Sequence, residues 1–173
     1  MKNFLAIDVE DYYQVSGMAD VSLFEKWESQ ESRTERNLEV ILCAMGDVKG
    51  TFFVLGWEAE KRPQLVKMIC RQGHETATHG YSHRSINDMT RANFKAELER
   101  SVKLLEDLSG HKILGHRAPS FSITCDNLWA FEVMTELGLR YDSSVVPIKR
   151  RRGGIKGAER TPYIVHTESG ELQ

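Results

Sequence analysis

KGTFFVLGWEAEKRPQLVKMICRQGHETAT, residues 49–78, holds two strand-like runs on either side of a helix-like segment. KGTFFVLGW (49–57) is rich in aromatic and β-branched residues and reads as a strand. PQLVKMICRQG (63–73) starts on a proline and stops at a glycine, the asymmetry expected of a helix. HETAT (74–78) then reads as a short, weak strand. A strand, a helix and a strand in so short a span predict a crossover between two parallel strands.

The same alternation continues on both sides. NFLAID (3–8) is a brief apolar run ending in an acid, consistent with a buried strand. TERNLEVILCAM (34–45) spaces Leu38, Ile41, Leu42 and Met45 by threes and fours, which predicts a helix closed by Gly46 and Asp47. Residues 87–110 hold the longest helix, capped by Thr90 or Asn87 and ended by Gly110, with Phe94, Leu98, Val102 and Leu105 as its apolar stripe. KILGHR (112–117) is the next strand, DNLWAFEVMTELG (126–138) a helix and LRYDSSVVP (139–147) a strand. Beyond these, KRRRGGIKGAER (149–160) is a polar loop, and TPYIVHTES (161–169) starts a sixth strand. The pattern predicts a single α/β domain over 1–173, with parallel strands and outer helices. Five or six strands fall short of the eight in a closed (β/α)8 barrel, so the barrel is incomplete or deformed, or the chain is a fragment.

At 173 residues, with 40% hydrophobic and 28% charged residues, the chain can bury a core without staples. Its formal net charge is -2 and its densest basic run is KRRR at 149–152, which argues against nucleic acid as a partner. Cys43, Cys70 and Cys125 lack a CxxC pattern and are expected as buried free thiols of a reducing compartment. No run approaches the ~18 apolar residues of a membrane span, and the first residues do not read as a signal peptide. A cytoplasmic location is therefore expected.

In parallel α/β folds, functional groups collect at the carboxyl ends of the strands. The polar residues that follow the apolar runs are Asp8, Glu10 and Asp11, then His79 and His83, then His116 and Arg117, then Asp142, Ser143 and Ser144. His79 and His83 stand four apart, which on a helical turn brings both rings to one ion. Two imidazoles and a carboxylate suit Zn²⁺ or a similar divalent metal and leave positions open for water.

Together these segments resemble the NodB-type polysaccharide deacetylases (carbohydrate esterase family 4), in the branch associated with bacterial exopolysaccharide synthesis. The resemblance lies in IDVEDYYQV, TFFVLGW, GHETATHGYSH, GHRAPSFSI and LRYDSSVVP, in that order across residues 3–147. It implies His79 and His83 as metal ligands and Zn²⁺ as the cofactor, with Co²⁺ or another transition metal as alternatives. It implies Asp8 as the catalytic base, with either Glu10 or Asp11 as the third ligand. Arg117 would pair with Asp8 and orient it. Pro119, Ser120 and Phe121 would form a groove wall, and a backbone N–H near Tyr81 would stabilise the oxyanion. Tyr141 and Asp142 would support the groove.

The implied reaction is metal-assisted hydrolysis of N-acetyl groups on a polysaccharide or oligosaccharide. This sequence departs from the family pattern at Gly80, where a hydroxyl residue usually supports the histidine loop. His74 lies outside the motif and reads as structural. The family's late general-acid histidine has no counterpart, since His166 stands outside its motif, so the chain is expected to lack the domain's C-terminal part. Two other readings are a metal-independent cyclic-amide hydrolase of the allantoinase type and a catalytically silent glycan-binding protein.

Overall fold

A computed structural model describes residues 4–18 and 22–173. Five strands, β1 (Ala6–Val9), β2 (Thr51–Val54), β3 (Glu75–Thr78), β4 (Gly115–His116) and β5 (Tyr141–Asp142), form one sheet in sequence order. Every neighbouring pair is parallel. The connections carry α1 (Thr34–Met45), α2 (Gly56–Lys61), α3 (Gln64–Arg71), α4 (Arg91–Ser109) and α5 (Trp129–Glu136). Asn3, the first residue of the strand expected over 3–8, lies outside the described residues.

The sheet is strongly curled. Flat neighbours lie about 4.8 Å apart, so β2 and β5 would be separated by roughly 14 Å. Instead, the rings of Phe53 on β2 and Tyr141 on β5 stand 6.4 Å apart, centroid to centroid. Asp8 on β1 is bonded to Arg117, just past β4. Since β1 and β5 remain the two edges, the sheet is an unclosed barrel.

The core lies between the outer face of the sheet and the helices. Phe52 and Val54 point into it, against Leu65, Val66 and Ile69 of α3 and Phe94, Leu98, Val102 and Leu105 of α4. Each such side chain contributes about 1.5–3 kcal/mol relative to exposure. Thr90 caps α4 by accepting from the Asn93 N–H, and Gly110 ends it in the left-handed region at φ 73°. A smaller aromatic cluster of Tyr13, Trp27, Trp57 and Tyr81 packs with Leu55 beside the carboxyl ends of the strands.

Three expectations change. The strand predicted over 49–57 stops at Val54, and α2 begins at Gly56. There the Gly56 and Trp57 N–H groups donate to the carbonyls of Gly80 and Tyr81, so the aromatic run turns into a helix start. TPYIVHTES does not supply a sixth parallel strand. Its Val165–Thr167 forms β6, which pairs antiparallel with β7 (Gly170–Leu172). The Glu132 carboxylate of α5 holds the turn of this hairpin by accepting from the Glu168 and Ser169 N–H groups, while Leu172 enters the core and Gln173 bonds to Arg140 and Asp142 at the edge of β5. The cysteines are free, but Cys43 and Cys125 are exposed, and Cys70 is half-buried against the edge of the core. No helix among the described residues is long and apolar enough to cross a membrane.

At Gly115 the sheet leaves no room for a side chain, since an added Cβ would overlap the Tyr141 ring. Gly115→Ala is expected to lower the unfolding free energy by about 1–3 kcal/mol, read as a lower urea midpoint. An unchanged midpoint would show that β4 and β5 can separate freely.

Candidate functional site

The parallel ladder continues one residue beyond each strand. His79 N donates to Val54 O at 3.0 Å, Arg117 N to Thr78 O at 3.0 Å and Ser143 N to His116 O at 2.8 Å. These bonds fix the first residue past β3, β4 and β5 on one rim. β1 adds Asp8 and, past its end, Glu10 on the same face, as alternation requires.

Glu10, His79 and His83 offer ligand atoms that all lie within 4.8 Å of one another. Glu10 Oε2 is 2.7 Å from His83 Nε2 and 3.6 Å from His79 Nε2. Despite that approach, Glu10 Oε2 meets no hydrogen-bond geometry, and it is buried. Lone pairs converging on a shared point describe the contact better than a hydrogen bond does. The Arg117 carbonyl can only accept, so His79 Nδ1 carries the proton in their 2.8 Å bond, which leaves Nε2 to face the cluster. A carbonyl that fixes a histidine tautomer in this way is the usual support of a metal-binding imidazole. Burial pushes the Glu10 carboxyl up, but positive charge on the two facing imidazoles, when they are protonated, outweighs it and holds the carboxyl at about 2. The trio therefore fits a divalent cation of intermediate softness.

The histidine pair does not sit on a helix, as its spacing suggested. Residues 79–83 are a loop in which Gly80 takes φ 74° and His83 φ 53°. That path suits glycine at position 80. Other groups brace the loop: Thr78 Oγ1 accepts from the Gly80 N–H, and Ser101 Oγ donates to the Gly80 carbonyl.

Asp11, the other carboxylate left open by the sequence, faces away from the histidines. Its Oδ2 accepts from the Arg33 and Thr34 N–H groups and from Thr34 Oγ1, at 2.6, 3.2 and 3.0 Å. It thus caps α1, whose first N–H groups and dipole favour an anion. Gln14 links this loop to the buried Glu58 of α2, accepting from Asp11 N at 2.6 Å and donating to Glu58 Oε1 at 2.7 Å. Burial raises the Glu58 carboxyl above its usual range, against the opposing pull of Arg62.

Asp8 Oδ1 accepts from Arg117 Nη1 at 2.7 Å. Ser143 holds the rest of the guanidinium, through its carbonyl to Nε and its hydroxyl to Nη2. The Phe53 ring lies 4.1 Å below it. Asp8, Glu10, His79, His83, Ser120 and Phe121 line one groove of about 450 Å³. Ser120 and Phe121 reach it through positive φ angles of 57° and 55°, strain of the kind that clusters at functional sites.

Several expected residues lie elsewhere. Tyr81 turns its ring into the aromatic cluster, under Arg100, and donates to Glu60, while burial pushes its hydroxyl up to about 12. Tyr81 and Pro119 border a small cavity behind His83, not the groove. Asp142 is buried, accepting from His116 Nδ1 at 2.8 Å and from Ser144 Oγ at 2.6 Å, and so ties β4 to β5. His74 packs at 5.0 Å on Phe52, where burial holds its imidazole low. His166 is exposed on the outer hairpin beside Glu171. The sequence reading also passed over Val15, Ser16, Gly17 and Arg150–Arg152, which complete the groove. For the arginines the signal was present as the KRRR run.

A family model described as polysaccharide deacetylase matches residues 29–141, which include both histidines and Arg117 but not Asp8 or Glu10. A peptidoglycan-N-acetylglucosamine deacetylase of Bacillus cereus is 34% identical over 87 residues, covering 50% of this chain and 32% of that protein. The chain thus spans about a third of that relative's length. Among solved structures, a Mycobacterium smegmatis protein described as a polysaccharide deacetylase aligns with TM-score 0.76 at 24% identity, over 98% of this chain and 56% of that one. A Bacillus anthracis pseudoenzyme of carbohydrate esterase family 4 aligns with TM-score 0.56 at 18% identity, over 89% and 43%. Both structural likenesses concern the fold.

The different settings of the two neighbouring carboxylates give a test. Asp11→Ala is expected to cost about 2 kcal/mol of stability through the lost cap, measured by urea denaturation. Glu10→Ala should cost little, because no helix or strand end depends on its carboxylate. The reverse order would contradict these roles.

Proposed function

The chain belongs to the polysaccharide deacetylase family, and from that premise we propose that it hydrolyses the N-acetyl group of an amino sugar within a glycan. The observation that carries this reading is the shared groove, in which Asp8, held by Arg117, and the Glu10–His79–His83 trio open onto one volume. Glu10, His79 and His83 would hold a divalent metal, with Zn²⁺ the first candidate and Co²⁺ the next. When bound, such a cation polarises a carbonyl and makes water a better nucleophile near neutral pH.

Asp8 is the base. Arg117 engages its Oδ1, so the proton of the attacking water goes to Oδ2. Among the described residues lining the groove, Asp8 is the one acid–base group outside the metal trio, since guanidinium does not titrate in this range. The departing nitrogen must also take up a proton; of the described residues, protonated Asp8 can return it, while the motif resemblance gives that step to a late histidine. The products are acetate and a free amino sugar. Ser120 and Phe121 form the wall against which the sugar lies. The named relative points to N-acetylglucosamine as the sugar, and the motif resemblance points to exopolysaccharide assembly as the setting.

The converging trio argues against a metal-independent cyclic-amide hydrolase. Retention of Asp8, Arg117 and both histidines argues against a silent glycan binder.

Acetate release from N-acetylglucosamine oligosaccharides should require Zn²⁺ or Co²⁺ and disappear with a chelator. Asp8→Asn should lower kcat by about 10²–10⁴-fold, while KM and metal content stay near those of the parent. No acetate from either neutral or acidic N-acetylated oligosaccharides, or full activity in Asp8→Asn, would overturn the proposal.

A further inference from the structure

The KRRR run sits over the groove. Arg150, Arg151 and Arg152 line the same volume as Asp8, Glu10, His79 and His83. The chain as a whole carries a formal net charge of -2, so three adjacent cations at this spot are a local reversal. Both carboxylates of the groove have partners already: Asp8 has Arg117, and Glu10 has the two imidazoles. Among the described residues, no carboxylate lies within 4.0 Å of any of the three guanidiniums. Among the described residues, salt bridging does not explain them.

The turn that presents them is built rather than loose. Arg150 N donates to Gly153 O at 2.8 Å, and Asn87 Nδ2 donates to Arg152 O at 3.0 Å. Gly154 N donates to Ile123 O, and Ile155 N to Val146 O. A Cβ on Gly153 would collide with the Phe121 carbonyl, and one on Gly154, at φ 92°, with the Ile148 carbonyl. The two glycines thus let the arginine turn press against the Phe121 wall of the groove, where a chain with side chains at these positions could not come so close.

We infer that Arg150, Arg151 and Arg152 form a subsite for a carboxylate, borne by a sugar next to the N-acetylated one, so that the chain selects an acidic glycan. Guanidinium is permanently charged and matches a carboxylate with paired N–H donors, which suits this task better than a solvated lysine. The inference rests on the deacetylase reading for the position of the N-acetyl sugar; the anion site itself stands on the arginines.

The test compares two probes on the full chain, by calorimetric titration without added metal. One is a tetrasaccharide of alternating N-acetylglucosamine and glucuronate; the other is the same tetrasaccharide with its carboxyls reduced to alcohols. The parent should bind the acidic form about ten-fold more tightly, with a preference that shrinks as salt is raised. In Arg150→Gln/Arg151→Gln/Arg152→Gln the two affinities should converge, whereas the triple lysine variant should keep most of the preference. An unchanged thermal midpoint shows that both variants fold. Equal affinity of the parent for the two probes, or a preference that survives the glutamine variant, would overturn the inference. Because binding is read without turnover, a chain that prefers the acidic probe yet releases no acetate refutes the deacetylase reading alone. One that releases acetate from both probes and binds both equally refutes only the anionic subsite.

Discussion

The hydrogen bonds from His79 N to Val54 O, Arg117 N to Thr78 O and Ser143 N to His116 O govern the rest of the molecule. A parallel sheet has every strand pointing the same way, so continuing the ladder by one residue brings the first polar side chain of each connection to one rim. Curling supplies the second half of the constraint. In a flat sheet β1 and β4 would lie too far apart for a direct bond, yet Asp8 and Arg117 meet at 2.7 Å. The candidate site is thus a product of register and curvature acting on residues far apart in sequence.

Within that frame, adjacent acidic residues divide the work by direction. Asp8 and Glu10 share the rim face, and Asp11, one residue on, turns to the amino terminus of α1. Its cap and the Gln14–Glu58 contact hold the loop that carries Glu10. The histidine loop is held likewise from outside, by Thr78 and Ser101. A positioned carboxylate and positioned imidazoles need such supports, because a shift of about 1 Å at a hydrolytic site can cost two orders of magnitude in rate.

Much of this was legible in the sequence. The helix over 34–45 matches α1 at both ends, and Thr90 and Gly110 bound α4, because periodicity and capping are local signals. The rim residues could be located because each follows an apolar run. What escaped depends on contacts from distant segments. α2 hid within an aromatic run and starts where the Gly80 and Tyr81 carbonyls meet its N–H groups. The helical reading of His79 and His83 failed because Gly80 and His83 take positive φ. The different directions of Glu10 and Asp11 depend on the position of α1, and the path of β6 and β7 on contacts with both α5 and β5.

On the proposed reading, one rim gathers Glu10, His79 and His83 around a cation beside Asp8. Anomalous diffraction at the zinc edge, from crystals of the chain grown with Zn²⁺, tests this most directly. One strong peak is expected at about 2.0–2.2 Å from Glu10 Oε2, His79 Nε2 and His83 Nε2. A peak bound through Asp11, or a fully loaded metal elsewhere with this trio left bare, would contradict that reading.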